Sequence, residues 1–180
     1  MPMQAGTTII WEEFLAAGEE GQWWEWVDGE VEFMCPVNLR HEAFLALLME
    51  HLVRYCRSQP RWICFTCNGV FTMASGNWRM PDASLVRKER FAGGQVPVKA
   101  DFALDVAFEI LSPTDSPSAI QMKRLDYQQS GATQVWFDLD KRLVELIYPD
   151  RPLQYYREGQ TITIDGVPSL SLDLKDLFSI

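Results

Sequence analysis

Three charged residues stand in segments that otherwise read as parts of a folded core. Asp82 lies in "RMPDASLV", Glu109 in "DVAFEILSP" and Lys123 in "AIQMKRLDYQQSG". Glu109 falls between Phe108 and Ile110, in a run that suits a buried strand and the turn after it. An ionised carboxylate buried alone costs several kcal/mol or takes up a proton. Asp82 follows Pro81, whose missing backbone donor places it near a strand start or edge. Two acids on neighbouring strands repel unless a cation lies between them. Mg²⁺ answers this, because it prefers hard oxygen ligands and commonly takes one or two carboxylates plus waters and substrate phosphate. Lys123 follows Glu109 by fourteen residues, inside the next helix, and a right-handed crossover returns that helix over the sheet. Ile120 and Tyr127 flank it at i−3 and i+4, so it borders an apolar stripe. A lysine held there can orient an attacking water and stabilise charge on a phosphorane-like transition state.

Each residue also has an ordinary structural reading. Asp82 alone suits a strand-edge surface acid, Lys123 a snorkelling surface lysine, and Glu109 the partner of an arginine. Spacing alone leaves both readings open. Strand alternation puts Glu109 on one face with Asp105, Ala107 and Leu111, and Val106, Phe108 and Ile110 on the opposite, more apolar face. Acid–base chemistry by paired carboxylates, as in glycosidases, has only the two acids in its favour.

The elements that must position these residues follow from the pattern. The chain has 180 residues, 47% of them hydrophobic, with seven tryptophans and ten phenylalanines. That suits a single domain over residues 1–180 with one sizeable core. "TIIWEEFLAAG" reads as a short helix. "WWEWVDGEVEFM" reads as a hairpin around Asp28-Gly29, a pair suited to a type I′ turn. "NLRHEAFLALLMEHLVRYCRSQ" is the clearest helix, with Phe44, Leu48, Leu52 and Tyr55 at helical spacing and Asn38 as N-cap. "WICFTCNGVFTM" and "WRMPDASLVR" read as strands, "KERFAGGQVPVKAD" as a loop, and "LDVAFEIL" as a strand feeding the Lys123 helix, which Gly131 ends. "TQVWFDLD" with "RLVELIYP" makes a hairpin, "LQYYREG" with "QTITID" another, and "LDLKDLF" a last helical turn. The expectation is a mixed β-sheet flanked by helices.

Composition limits partners and location. No stretch approaches ~18 apolar residues, so no membrane span is expected. Four cysteines without a secretory leader fit free thiols in a reducing cytoplasm. Cys64 and Cys67 have C-x-x-C spacing, but in a strand they point to opposite faces and no second pair follows, so zinc is not expected. The net charge of −9 opposes phosphate binding, unless "VRKER" and Arg54, Arg57 and Arg61 line one basic face.

The ordered set D-G-E, R-H, P-D, E-I-L-S-P, K-x-x-x-Y and W-F-D resembles the Uma2 family, within the PD-(D/E)xK nuclease superfamily. The resemblance runs from "WEEFLAAGEEGQ" to the hairpin at "RLVELIYP". It implies a restriction endonuclease-like fold and a metal-dependent endonuclease that cleaves phosphodiester bonds with Mg²⁺ or Mn²⁺. Asp82 and Glu109 match the two acids, with the Ile110 backbone carbonyl as a further metal ligand. Lys123 matches a lysine moved from the strand to the next helix, since Leu111 stands at its usual place. Glu30 and His41 match auxiliary positions, Glu30 for an outer metal or water ligand, His41 for phosphate contact or a proton relay. His51 has no match and reads as structural. The implied partner is nucleic acid, with DNA the expected substrate. The alternative is a catalytically silent module of the same fold that binds nucleic acid or protein. Exposed strands near the ends make a homodimer an expectation as well.

Overall fold

A computed structural model describes residues 24–33 and 38–180, with Glu13 as an isolated helical position. The "TIIWEEFLAAG" helix otherwise lies outside the described residues. The first described element is the hairpin of β1 (Trp24–Val27) and β2 (Glu30–Phe33). Asp28 and Gly29 both take positive φ, 51° and 87°, the conformation a type I′ turn requires.

Helix α1 (Leu39–Ser58) begins where the Asn38 side chain accepts the His41 N–H, at 3.0 Å. It buries Phe44, Leu45, Leu48, Leu52 and Tyr55 on one stripe. The two long runs expected as strands each break in two. "WICFTCNGVFTM" becomes β3 (Trp62–Thr66) and β4 (Phe71–Thr72), and "WRMPDASLVR" becomes β5 (Trp78–Arg79) and β6 (Ala83–Arg87). The halves belong to different sheets. β4 and β5 join the hairpin in a four-stranded sheet ordered β2-β1-β5-β4, while β3 and β6 enter the large sheet. Pro81 cannot donate to a ladder, and the chain changes sheets at Met80–Asp82. Asp82 therefore stands at the junction of the two sheets.

The large sheet continues with β7 (Val106–Ile110), β8 (Thr133–Asp138), β9 (Leu143–Ile147) and β10 (Gln154–Arg157). Its order is β10-β9-β8-β7-β6-β3. Only β7 and β8 run parallel in it, joined by α2 (Pro117–Gln129). The expected hairpin of "LQYYREG" with "QTITID" does not form. β10 pairs instead with β9, where Tyr156 packs against the main core. β11 (Thr161–Thr163) pairs with β12 (Ser171–Asp173), ahead of α3 (Leu174–Leu177).

Both faces of the large sheet are covered. One packs Phe108, Val135 and Phe137 against α1, α3 and the β11–β12 pair. The other packs Ala107 and Trp136 against Tyr127 of α2 and the Phe71 and Phe91 side chains. All five residues of β7 are buried, as expected for a central strand buried on both sides. Glu109 shares its side of the strand with Ala107, under α2, while Val106, Phe108 and Ile110 pack into the other face, as the alternation predicts.

Candidate active site

The pairing of Ala83 with Phe108 brings the start of β6 beside the end of β7. Asp82 lies one residue before that pair. Its Oδ2 accepts the Ile110 N–H at 2.7 Å, and its Oδ1 lies 3.2 Å from His41 Nε2. The N-cap at Asn38 sets the first turn of α1 and so presents His41 to Asp82. Burial opposes a charge on His41, but the bond to Asp82 and the charges of Asp82, Glu42 and Glu109 raise its pKa above the usual value.

Glu109 is 5% exposed. Its Oε1 accepts the Tyr127 hydroxyl at 2.6 Å, and its Oε2 lies 3.7 Å from Lys123 Nζ. Lys123 and Tyr127 are one helical turn apart on α2, so both reach the same carboxylate. Burial, with the nearby charges of Asp82 and Glu25, outweighs Lys123 and Tyr127 and pushes the Glu109 carboxyl up to about 8. Tyr127 is raised well above its ordinary value by burial and by Glu109. Lys123, with 19% of its side chain exposed, is pulled the other way: burial disfavours its charge, but Glu109, Glu25 and Asp82 together hold the ammonium protonated.

A third acid completes the cluster, and the sequence reading missed it. Glu25 of β1 is buried, with Oε1 3.1 Å from Lys123 Nζ, closer than Glu109. The same oxygen accepts the Met80 N–H at 3.0 Å, and Oε2 accepts from Arg79 at 2.8 Å. Arg79 is 0% exposed and forks between Glu25 and Asp126, the latter at 2.7 Å. Asn77 and Ser75 also donate to Asp126, Ser75 at 2.6 Å. This network ties β1 and β5 of the small sheet to α2 beneath them. A signal for it existed: Lys123, Asp126 and Tyr127 stand at i, i+3 and i+4, a polar stripe on the helix face that turns inward.

The structure thus gathers Asp82, Glu109, Lys123 and His41 in one cluster. It does not bring in Glu30. Val27 faces Glu30 and Glu25 faces Glu32 across the hairpin, so all four lie on one side. Glu30 sits at the turn end, exposed, and makes no ion pair among the described residues. Glu32 reaches Arg79 at 3.5 Å. Ile110 engages the site through its N–H. The expected basic face is largely neutralised: Arg87 and Arg90 both bond Asp105, Arg61 bonds Glu89 and Arg54 bonds Glu50. His51 pairs with Asp176 at 2.9 Å, a surface contact between α1 and α3. Cys56, Cys64 and Cys67 are free thiols.

The donor set at the β6–β7 junction fits a hard divalent cation. Among the described residues no group of three acidic, histidine or cysteine side chains could by itself hold a metal. Two carboxylates with the remaining positions left to water or phosphate are the usual Mg²⁺ pattern. Burial and the neighbouring acids Asp82 and Glu25 disfavour the ionised form of Glu109 when no cation is bound.

The same arrangement of strands and helices is found in the crystal structure of "a putative nuclease belonging to DUF820" from Anabaena variabilis ATCC 29413. The two chains are 22% identical, with a TM-score of 0.82 over 95% of this chain and 98% of that one. The fold is that of a restriction endonuclease-like α+β protein, a large mixed sheet with helices on both faces. The profile of the Uma2 family, described as "Putative restriction endonuclease", matches residues 11–175, and the chain belongs to that family. No curated protein matches the chain. Among the described residues no helix is long and apolar enough to cross a membrane.

Proposed function

We propose that this protein is a metal-dependent endonuclease that cleaves phosphodiester bonds of nucleic acid, DNA being the expected substrate. The observation that carries the reading is Lys123. Its ammonium is held between Glu109 and Glu25, beside Asp82, at the end of the β6–β7 pair. Asp82 and Glu109, with the Ile110 carbonyl, are the groups that would hold Mg²⁺ or Mn²⁺. When bound, such a cation polarises the scissile phosphate and lowers the pKa of a bound water.

The chain's own residues do the rest. Lys123 stays protonated, so it acts as a donor that orients the attacking water and stabilises anionic charge on the phosphorus centre. Tyr127 fixes one Glu109 oxygen and leaves the other toward Lys123. His41 and the Ile110 N–H hold Asp82 in one orientation. Glu25 is a positioning residue: it anchors the Lys123 ammonium, and Arg79 anchors Glu25.

A test is cleavage of supercoiled plasmid and of labelled oligonucleotides with Mg²⁺ or Mn²⁺. Asp82→Asn, Glu109→Gln and Lys123→Met are expected to lose at least about 10²-fold in rate, the scale of a lost electrostatic stabiliser, while keeping their circular dichroism. Undiminished cleavage in the folded variants contradicts the proposal. The second reading, a silent module of the same fold, draws on the net charge of −9 and on the neutralised arginines. A folded wild type that binds nucleic acid without metal and never cleaves it decides for that reading.

A further inference from the structure

Beside the cluster a cleft of about 320 Å³ opens between the first turn of α1, the β7–α2 connection and the β8–β9 turn. His41, Leu111 and Ile120 form its inner wall. His41 joins the cleft directly to Asp82, and Ile120 lies one helical turn before Lys123. Arg40, Ser112 and Lys141 stand at its polar rim.

Three features make this cleft suited to an anion. First, it carries two cations whose present partners are weak competitors. Arg40 bonds Asp140 at 2.7 Å and the Leu139 carbonyl at 2.6 Å. Lys141, 74% exposed at its side chain, bonds Asp138 at 2.7 Å. Both cations are well exposed to water, which screens such pairs, so a phosphate can compete for them even though Asp138 itself is half-buried and also accepts the Lys141 N–H. Second, the cleft receives the N-terminus of a helix of 20 residues. Asn38 caps the His41 N–H, but its side chain leaves those of Leu39 and Arg40 uncapped, at the positive end of the helix dipole. Third, His41 lines the cleft with a side chain only 5% exposed. Its Nδ1 has no hydrogen-bond partner; the Glu42 carboxylate stands 3.9 Å away. The ring is held at the wall of the cleft through its Nε2 contact to Asp82, and only its protonated form offers a donor at Nδ1.

We propose that this cleft binds the phosphate next to the scissile one, with Arg40 and Lys141 exchanging Asp140 and Asp138 for the nucleic-acid backbone. The inference rests on the nuclease reading and deepens it. The substrate is a polyanionic strand laid across the ends of β7 and β8, rather than an isolated phosphodiester. The acidic net charge is then no obstacle, because the strand is held by a few local cations released from weak surface pairs.

The test is binding of a short fluorescein-labelled DNA strand, followed by anisotropy across a salt series with Ca²⁺ replacing Mg²⁺ to hold turnover down. Lys141→Gln and Arg40→Gln are expected to weaken binding about 3–10-fold each. Each should make the log–log salt dependence shallower by roughly 0.7, one phosphate contact on a single strand. Asp140→Asn frees Arg40 and is expected to tighten binding. Glu89→Gln, paired with Arg61 at the far end of β6, leaves it unchanged. Lys141→Gln sits on the surface and does not threaten folding, and Arg40→Lys keeps the charge where loss of the Leu139 bond disturbs the turn. Equal affinities and slopes for wild type, Lys141→Gln and Asp140→Asn overturn the inference, as does a wild type that fails to bind. A wild type that binds with the expected slopes but never cleaves upholds the cleft and sinks the nuclease reading.

Discussion

Lys123 Nζ lies 3.1 Å from Glu25 and 3.7 Å from Glu109. The lysine is therefore shared between a strand of the small sheet and a strand of the large one. Its position depends on the β1–β2 hairpin as much as on its own helix. Glu25→Gln keeps the side-chain shape but removes the charge that anchors the ammonium. Turnover is expected to fall by about 10–100-fold with KM little changed, the pattern of an interaction used in the transition state. Glu30→Gln, exposed at the turn end, is expected to behave as wild type. Steady-state cleavage kinetics of the two variants check the contrast.

Arg79 is the structural counterpart. It is fully buried between Glu25 and Asp126. Removing it leaves Asp126 in the interior without a cation and Glu25 with Lys123 alone. Breaking a buried pair in this way typically costs about 3–5 kcal/mol. Arg79→Met is expected to lose stability on that scale in urea unfolding. Adding Asp126→Asn to it should recover part of the loss, because the two sites share one network.

Glu109 sets a pH dependence whose sign is fixed. Its folded-state pKa, about 8, lies above the ordinary value of 4.5. The folded protein thus holds this proton more tightly than the unfolded chain does. The contribution is fully present below about pH 4.5 and is lost as pH rises through about 8. In chelator, wild type is expected to lose stability relative to Glu109→Gln between pH 5 and pH 8. Mg²⁺ should narrow the gap at pH 8, because a bound cation favours the ionised carboxylate. Urea midpoints of both proteins at the two pH values, with and without metal, measure this.

The fold was largely legible in the sequence where periodicity was strong. Phe44, Leu48, Leu52 and Tyr55 announced α1, Asn38 its start, and Asp28-Gly29 the hairpin. The small sheet was not legible, because β4 and β5 have two residues each. Strands that short carry no alternation, and they were absorbed into longer apolar runs. That error hid the role of Pro81, which ends one sheet and opens the other. β10 was mispaired because sequence neighbours such as "LQYYREG" and "QTITID" suggest a hairpin, whereas Tyr156 finds its burial beside β9. At the site, Asp82, Glu109 and Lys123 stood out as charges in apolar company. Glu25 did not, because among Trp24, Trp26 and the acids of β2 it looks like one more surface charge on an alternating hairpin. Its charge is met by Arg79 and Lys123, contacts from two distant segments that no local pattern encodes.

The central claim is that Asp82 and Glu109 together hold a divalent cation. Isothermal titration of Mn²⁺ into wild type, Asp82→Asn and Glu109→Gln tests it most directly. One site is expected in wild type, with binding lost or weakened at least about tenfold in each variant, as removal of a ligand carboxylate from a site with only one or two of them demands. Mn²⁺ binding of equal affinity in all three proteins contradicts it.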